Sequence, residues 1–173
     1  MRGLTYLLLA FLLLALESPL LHSAGAVRYA PDLALVLVVH LGLTSPLGGG
    51  MMTVLGVGLL RDAFTTGTPI GLFMEIAVIN FLVCQRLARR LVVRGPLGSM
   101  VVVGAFVIFS AILEILLSLM FVRTFTDGTS GPGAILVAMI PQALVTAPFA
   151  AFFFWLFDRV DGLVTRKQDS VFG

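Results

Sequence analysis

Few side chains in this sequence could do chemistry, and most of them are carboxylates. Arg61 and Asp62 stand side by side in the stretch GVGLLRDAFTTGTPIG, residues 56–71. Asp32 opens an apolar run, and Glu114 lies near the middle of another. A carboxylate within an apolar span is costly, so it usually faces a cavity, a partner or a neighbouring helix. Adjacent Arg61 and Asp62 suggest an ion pair.

Glu114 belongs to a polar stripe on its predicted helix. Ser110 and Ser118 lie one turn before and one turn after it, so the three side chains share one helical face. Such a face can receive a partner, a ligand or a cation from another helix. It can also be an internal, hydrogen-bonded seam, and the sequence leaves both interpretations open.

Common catalytic patterns are missing from the sequence. The only lysine, Lys167, lies in the C-terminal tail, which excludes a nucleotide-binding P-loop. In GVGLLRD, three residues separate Gly58 from Asp62, whereas the Asp of the GxGD element of intramembrane aspartyl proteases directly follows the second Gly. Cys84 is the only cysteine, which excludes an internal disulfide and a cysteine-based metal site. We therefore predict no enzyme, no catalytic residue, no metal and no cofactor.

Asp62 raises a specific electrostatic question. It is expected at the end of a helix, where the helix dipole disfavours an anion. We expect compensation from Arg61, from the hydroxyls or amides of Thr65 and Thr66, or from a partner protein. The interpretation that follows is an aspartate that locks the turn after this helix, next to a docking surface.

The segments that carry these residues are strongly apolar. Hydrophobic residues make up 59% of the 173 residues and charged residues only 12%, whereas a soluble domain has about 25% charged residues. Mean hydropathy is +1.09. Most of the surface should therefore face lipid, and the chain is too short for a large additional soluble domain. We predict a single all-α integral membrane domain over residues 1–173.

Six apolar runs predict about six transmembrane helices in one compact bundle. A spanning helix needs about 20 apolar residues, and the first, fifth and sixth runs satisfy this well. The second and third are short and meet at the seam TSPLGGG, so the second interpretation is five full spans plus a re-entrant or hairpin segment. The predicted spans are residues 4–21, 31–45, 47–61, 69–85, 97–122 and 134–157.

Arginine placement predicts the orientation of the bundle. With six spans and both termini in the cytoplasm, Arg28, Arg61 and Arg123 lie outside, and the other cationic residues lie inside. This excess agrees with the positive-inside rule. The first run, followed by the small residues SAGA, also resembles a secretory signal. Its cleavage would leave the later loops on the same sides.

Small residues predict close helix packing around the third run. Gly42, Gly49, Thr53 and Gly56 would share one helical face if a single helix continued through the second and third runs. In lipid, such small residues let helix backbones approach each other. Internal packing and a partner helix both remain open as the reason for this face.

The order of these motifs resembles the bacterial rod shape-determining MreD family. PDLALVLVVHLGL, a glycine-rich segment, GVGLLRDAFTTGTPIG, the arginine-rich RLARRLVVRGPLG and a closing FDRVDGL follow one another in a chain of similar length. Arg61 is not a defining position of the family pattern. The positions that match it are Pro31, Asp32, Gly58, Leu59, Asp62 and Gly71.

The resemblance implies a non-enzymatic scaffold in the bacterial cytoplasmic (inner) membrane, acting in cell elongation and peptidoglycan synthesis. The implied direct partner is an MreC-like single-span protein. An actin-like filament, a polytopic glycosyltransferase and a transpeptidase are implied as indirect partners. Membrane lipid surrounds such a protein, self-association is compatible with it, and no nucleic acid is expected.

The family is also similar to the substrate-binding membrane subunits of energy-coupling-factor vitamin transporters. That similarity implies the same six-helix fold, and as an alternative function a small-molecule-binding subunit with an extracytoplasmic pocket. Those subunits carry A-x-x-x-A on the first helix, whereas Ala10 and Ala15 here are five residues apart. The sequence therefore departs from the docking motif that a transport role requires.

Overall fold

A computed structural model describes residues 2–24, 31–65, 71–89, 95–120 and 132–169. These residues form only helices and turns, which confirms the predicted all-α fold. The helices are α1 (Arg2–Ala24), α2 (Leu33–Thr44), α3 (Leu47–Phe64), α4 (Leu72–Ala88), α5 (Gly95–Met120) and α6 (Pro132–Asp169).

Two of the described helices are long and apolar enough to cross a membrane. The qualifying segments are Leu97–Leu117 in α5 and Met139–Arg159 in α6. Both helices also expose large apolar side chains such as Val101, Ile112 and Leu144. Helix α2 is apolar but has only 12 residues, or about 18 Å of helix, against about 30 Å of bilayer core. Length and composition thus indicate membrane association, carried by α5 and α6.

Helix α2 is the centre of the bundle. It contacts each of the other five helices described here, and its residues from Ala34 to Gly42 are all buried. A helix that is apolar on every side needs such surroundings, because it has no polar face to present to water. The main core of the bundle is built around it.

The chain breaks between α2 and α3. Ser45 and Pro46 are both extended, and the Gln85 side chain of α4 donates a 2.7 Å hydrogen bond to the Ser45 carbonyl. The condition under which Gly42 would share a helical face with the small residues of the third run, one continuous helix, is therefore not met. Gly42 of α2 packs against Cys84 of α4, whereas Gly56 of α3 packs against Leu7 of α1.

Helices α3 and α4 approach most closely at a glycine. A Cβ atom added to Gly58 would lie 2.6 Å from the Met74 Cα atom and 3.2 Å from its nitrogen. Only a glycine lets the two backbones come this close. Further along the same antiparallel pair, Gly50 leaves room for the ring of Phe81.

Helices α5 and α6 pack mainly against each other. They meet the remaining helices through α2 and α4. Phe106 and Ala150 carry this hairpin into the main core, and polar bonds described below join it to the rest of the bundle.

Candidate functional site

The central feature of the candidate site is an ion pair between α2 and α3. Arg61 Nη1 donates to both carboxylate oxygens of Asp32, at 2.9 and 2.7 Å. Asp32 is 8% exposed and the Arg61 side chain 26% exposed. The expected pair between Arg61 and Asp62 is wrong. Consecutive residues of a helix point in different directions, so these two side chains do not face each other.

Asp32 also organises the start of α2. Its Oδ1 accepts a 2.9 Å hydrogen bond from the Leu35 amide, so it is the N-cap of the helix. Its own amide donates a 3.1 Å bond to Thr146 Oγ1 of α6. Pro31, which precedes it, is half-buried. One aspartate thus caps α2, neutralises a cation of α3 and holds α6.

Asp62 acts as a link from α3 to the start of α4. Its Oδ2 accepts hydrogen bonds from the amides of Gly71 (3.0 Å) and Met74 (3.2 Å), and its Oδ1 from the amide of Phe73 (3.0 Å). Asp62 is 7% exposed. The carboxylate therefore lies at a helix N-terminus, where amide donors and the helix dipole stabilise an anion.

The source of compensation for Asp62 differs from the expectation. Arg61 pairs with Asp32 instead, and the Thr65 hydroxyl donates to the Arg61 carbonyl at 2.9 Å. Thr66 lies outside the described residues. The dipole of α4, which follows in the sequence, offsets the unfavourable dipole of α3.

Gly71 shapes the entry into α4. Its φ of 103° is in the left-handed region, and it occupies the N-cap position of the helix. A side chain would be strained in this conformation. The same backbone lets the Gly71 amide reach Asp62 while its carbonyl accepts from the Glu75 amide at 2.9 Å.

Arg61 interacts with two further groups. Its guanidinium lies over the ring of Phe73, 4.4 Å from the centroid. The half-buried Glu114 carboxyl of α5 interacts electrostatically with both Arg61 and Asp32. The cation of α3 is thus shared by α2, α4 and α5.

The predicted polar stripe on α5 faces other helices. Ser110 accepts a 2.8 Å hydrogen bond from Asn80 Nδ2 of α4, and Glu114 interacts with the Asp32–Arg61 pair. The side chain of Ser118 lies outside the described residues. For Ser110 and Glu114, the geometry favours the internal-seam interpretation.

Of the remaining predicted residues, two glycines lie at contacts between helices and one leucine is exposed. Gly56 and Gly58 lie where α3 meets α1 and α4. Leu59, which matches the family pattern, is 55% exposed on the outside of α3. It takes no part in the network around Arg61.

Three residues of the network were not among the predicted site residues: Phe73, Asn80 and Thr146. Asn80 is fully buried and interrupts the apolar run of α4, so its polarity was a readable signal. Thr146 is also fully buried, in a helix that contains Pro141 and Pro148. Phe73 gives no signal, since a phenylalanine in an apolar run is ordinary.

The chemistry of this arrangement is structural. Asp32 accepts hydrogen bonds from Arg61 and from the Leu35 amide, and Asp62 accepts them from three amides at the start of α4. No group of three or more histidine, cysteine or acidic residues that could hold a metal occurs in the described ranges. The carboxylates join helix to helix, since Asp32 reaches Arg61 of α3 and Asp62 reaches the start of α4.

Comparisons with known protein families, with curated proteins and with solved structures find no match to this chain.

Proposed function

We propose that the protein is a non-enzymatic membrane scaffold of the bacterial cell-elongation machinery, which binds a single-span partner of the MreC type. The proposal starts from the sequence resemblance to the MreD family. Its support from the geometry is the way in which the family-matching positions are used.

One observation carries the proposal. Asp32 and Asp62, the two charged positions of the family pattern, both form joints between helices. Gly58 and Gly71 supply the close approach and the left-handed turn at one of these joints. A catalytic residue would need a reacting atom within reach, whereas these four residues stabilise the arrangement of the helices. A defined shape is what a scaffold offers its partners.

The proposed placement is the inner membrane, with six crossings and both termini in the cytoplasm. Helices α5 and α6 cross as ordinary spans. The shorter α2, which is not long enough to cross as an isolated helix, lies within the membrane at the centre of the bundle, where protein surrounds it on all sides. The Arg61 network then lies toward the extracytoplasmic face, where the exposed part of the Arg61 side chain can reach water.

The direct test is capture of the partner in a rod-shaped bacterium. Photocrosslinkers placed at Ala63, exposed beside the Asp62 joint, and at Ala105, exposed on α5, would be compared. We expect Ala63 to crosslink to the MreC-like protein more strongly than Ala105. Equal or absent crosslinking at both positions would contradict the docking surface near Asp62.

A genetic test addresses the cellular role. Depletion of the protein should turn rods into round cells, and an Asp62→Ala variant should restore rod shape less well than an Asp62→Asn variant, which keeps one acceptor oxygen. Cells that stay rod-shaped during fast growth after depletion would refute the scaffold function.

The alternative is a small-molecule-binding subunit of an energy-coupling-factor-type transporter. One observation favours it, a cleft of about 550 Å³ lined by α2, α4, α5 and α6, within the range of roughly 300–1,000 Å³ for ligand sites. The proposed orientation places this cleft toward the cytoplasm, whereas the transporter subunits bind at the outer face. Mass spectrometry of the denatured protein would reveal a retained vitamin if this alternative holds.

A further inference from the structure

The cleft of about 550 Å³ lies at the other end of α2 from the Arg61 network. It is open to the surroundings and is lined by the last residues of α2 and α4, the first turns of α5 and the middle of α6. Asp32 caps one end of α2 and Thr44 ends it, about 18 Å away along the helix. The cleft is thus separate from the joints around Arg61.

Polar groups line the cleft at two depths. His40 and Ser99 are nearly or fully inaccessible, at 0% and 4% exposed. The Asp158 carboxylate and the Thr44 hydroxyl stand at the exposed rim. The rings of Phe154 and Trp155 and small apolar side chains also line the cleft, and Trp155 is exposed. A ligand that fits must therefore have both a charged or polar part and an apolar part.

Charges of both signs lie at the rim or beside it. Asp158 supplies a carboxylate, and the C-terminal ends of α2 and α4 add partial negative charge. Arg159 does not line the cleft itself, but its guanidinium lies over the ring of Trp155, which does, 5.9 Å from the centroid. The N-terminal end of α5 at Gly95 adds partial positive charge. Arg159 opposes a purely cationic ligand and Asp158 a purely anionic one. A zwitterion satisfies both.

We propose that this cleft binds a phosphoethanolamine group. The primary ammonium would donate hydrogen bonds to Asp158 and to the hydroxyl groups of the cleft. The phosphate would lie toward Arg159 and the start of α5, where backbone amides attract anions. Such a group occurs on a phosphatidylethanolamine lipid or as a free soluble molecule. The site does not depend on the scaffold function.

Trp155 is the only tryptophan in the chain, which gives a direct readout. The protein would be reconstituted in phosphatidylcholine vesicles with equal amounts of brominated phosphatidylethanolamine or brominated phosphatidylglycerol, since bromine quenches nearby tryptophan. General attraction by the basic residues Arg86 and Arg89 of this end predicts stronger quenching by the anionic lipid. The proposed site predicts stronger quenching by phosphatidylethanolamine.

Two variants make the test specific. Asp158→Asn removes the carboxylate and should abolish the preference for phosphatidylethanolamine. Glu75→Gln removes an exposed carboxylate from the first turn of α4, at the far end of that helix, and should leave the preference intact. Brominated phosphatidylcholine, whose quaternary ammonium cannot donate a hydrogen bond, should quench less than phosphatidylethanolamine.

A second arm identifies the source of the ligand. Free O-phosphoethanolamine would be added to detergent-solubilised protein while Trp155 emission is followed. A shift that is lost in Asp158→Asn, without a lipid preference, supports the site with a soluble ligand. Equal quenching by both lipids together with no response to the free molecule would overturn the proposal, as would a preference unchanged in Asp158→Asn.

Discussion

At the scale of single residues, Arg61 and Asp62 serve opposite neighbours. Arg61 pairs with Asp32 at the start of α2, and Asp62 accepts the amides at the start of α4. Adjacent residues of one helix therefore hold the helix before and the helix after it. If Arg61 and Asp62 paired with each other, neither of these two helices would be held.

Replacing Asp62 should weaken the fold. Asp62→Ala leaves three amides of α4 without their acceptor, and loss of a helix cap alone costs roughly 0.5–2 kcal/mol. We expect a lower unfolding temperature in detergent. A thiol-reactive dye would report it, because Cys84 is the only cysteine and is fully buried in the folded protein.

Two comparisons make this result interpretable. Asp62→Asn should lose less stability than Asp62→Ala, and Glu75→Gln, an exposed carboxylate at the same helix end, should lose least. If Asp62→Ala unfolds at the wild-type temperature, the link between α3 and α4 does not depend on this carboxylate.

Removing Arg61 should strand a buried charge. Arg61→Ala leaves Asp32 without its cation, and breaking a fully buried pair costs roughly 3–5 kcal/mol. We expect a smaller loss here, because about a quarter of the Arg61 side chain is exposed. The double variant Asp32→Asn, Arg61→Ala should be more stable than Arg61→Ala alone, as measured by the same dye. If the loss in the double variant equals the sum of the losses in Arg61→Ala and in Asp32→Asn alone, the two side chains do not interact.

At the scale of elements, the existence of the helices was easier to foresee than their contacts. Long apolar runs predict helices because an apolar helix needs no outside hydrogen-bond partner, and proline at Pro46 marks the start of α3. The contacts of Asp32 with Arg61 and Thr146 join residues 29 and 114 positions apart. No local pattern encodes such a distance, since it depends on how the helices fold back.

The contact between α3 and α4 gives a prediction at this scale. Gly58→Ala would place a methyl group against the Met74 backbone, forcing the helices apart and disturbing the Met74 amide that bonds Asp62. Gly49→Ala on the same helix meets nothing within 4 Å and should be neutral or gain up to about 1 kcal/mol of helix propensity. Unfolding temperatures of the two variants should therefore move in opposite directions or differ clearly.

An equal response of both glycines would have a specific meaning. The exposed Gly49 reports only the backbone preference of α3, so equal shifts would indicate that α3 and α4 adjust their spacing freely. In that case, the close approach at Gly58 would not be needed for stability.

At the scale of the whole molecule, a buried helix is surrounded by two groups of helices. Helix α2 contacts all the other helices described, whereas α5 and α6 pack mainly on each other. Asp32 to Thr146 and Asn80 to Ser110 are two polar bonds that hold this pair to the rest. The sequence predicted the polar residues of α5 but not which helices they would meet.

The proposed orientation can be tested by labelling. In a Cys84→Ala background, Ala63→Cys and Arg89→Cys place single thiols at exposed positions at opposite ends of the bundle. A membrane-impermeant maleimide added to intact spheroplasts should label Ala63→Cys only, because the positive-inside rule places the arginine-rich end in the cytoplasm. Opening the membrane should then expose Arg89→Cys as well. If only Arg89→Cys is labelled in intact spheroplasts, the orientation of the bundle is opposite to the proposed one.

The way in which Asp62 holds α4 has a consequence for sequence change. All three of its donors are main-chain amides, so the interaction does not depend on the side chains at positions 73 and 74. For the bonds to Asp62, those positions can vary as long as the helix begins at the same place, although the Phe73 ring also lies against Arg61. Position 62 needs a carboxylate, and position 71 needs a residue without a side chain. Among homologous chains, we therefore expect the aspartate at position 62 and the glycine at position 71 to vary less than the other residues at the start of α4.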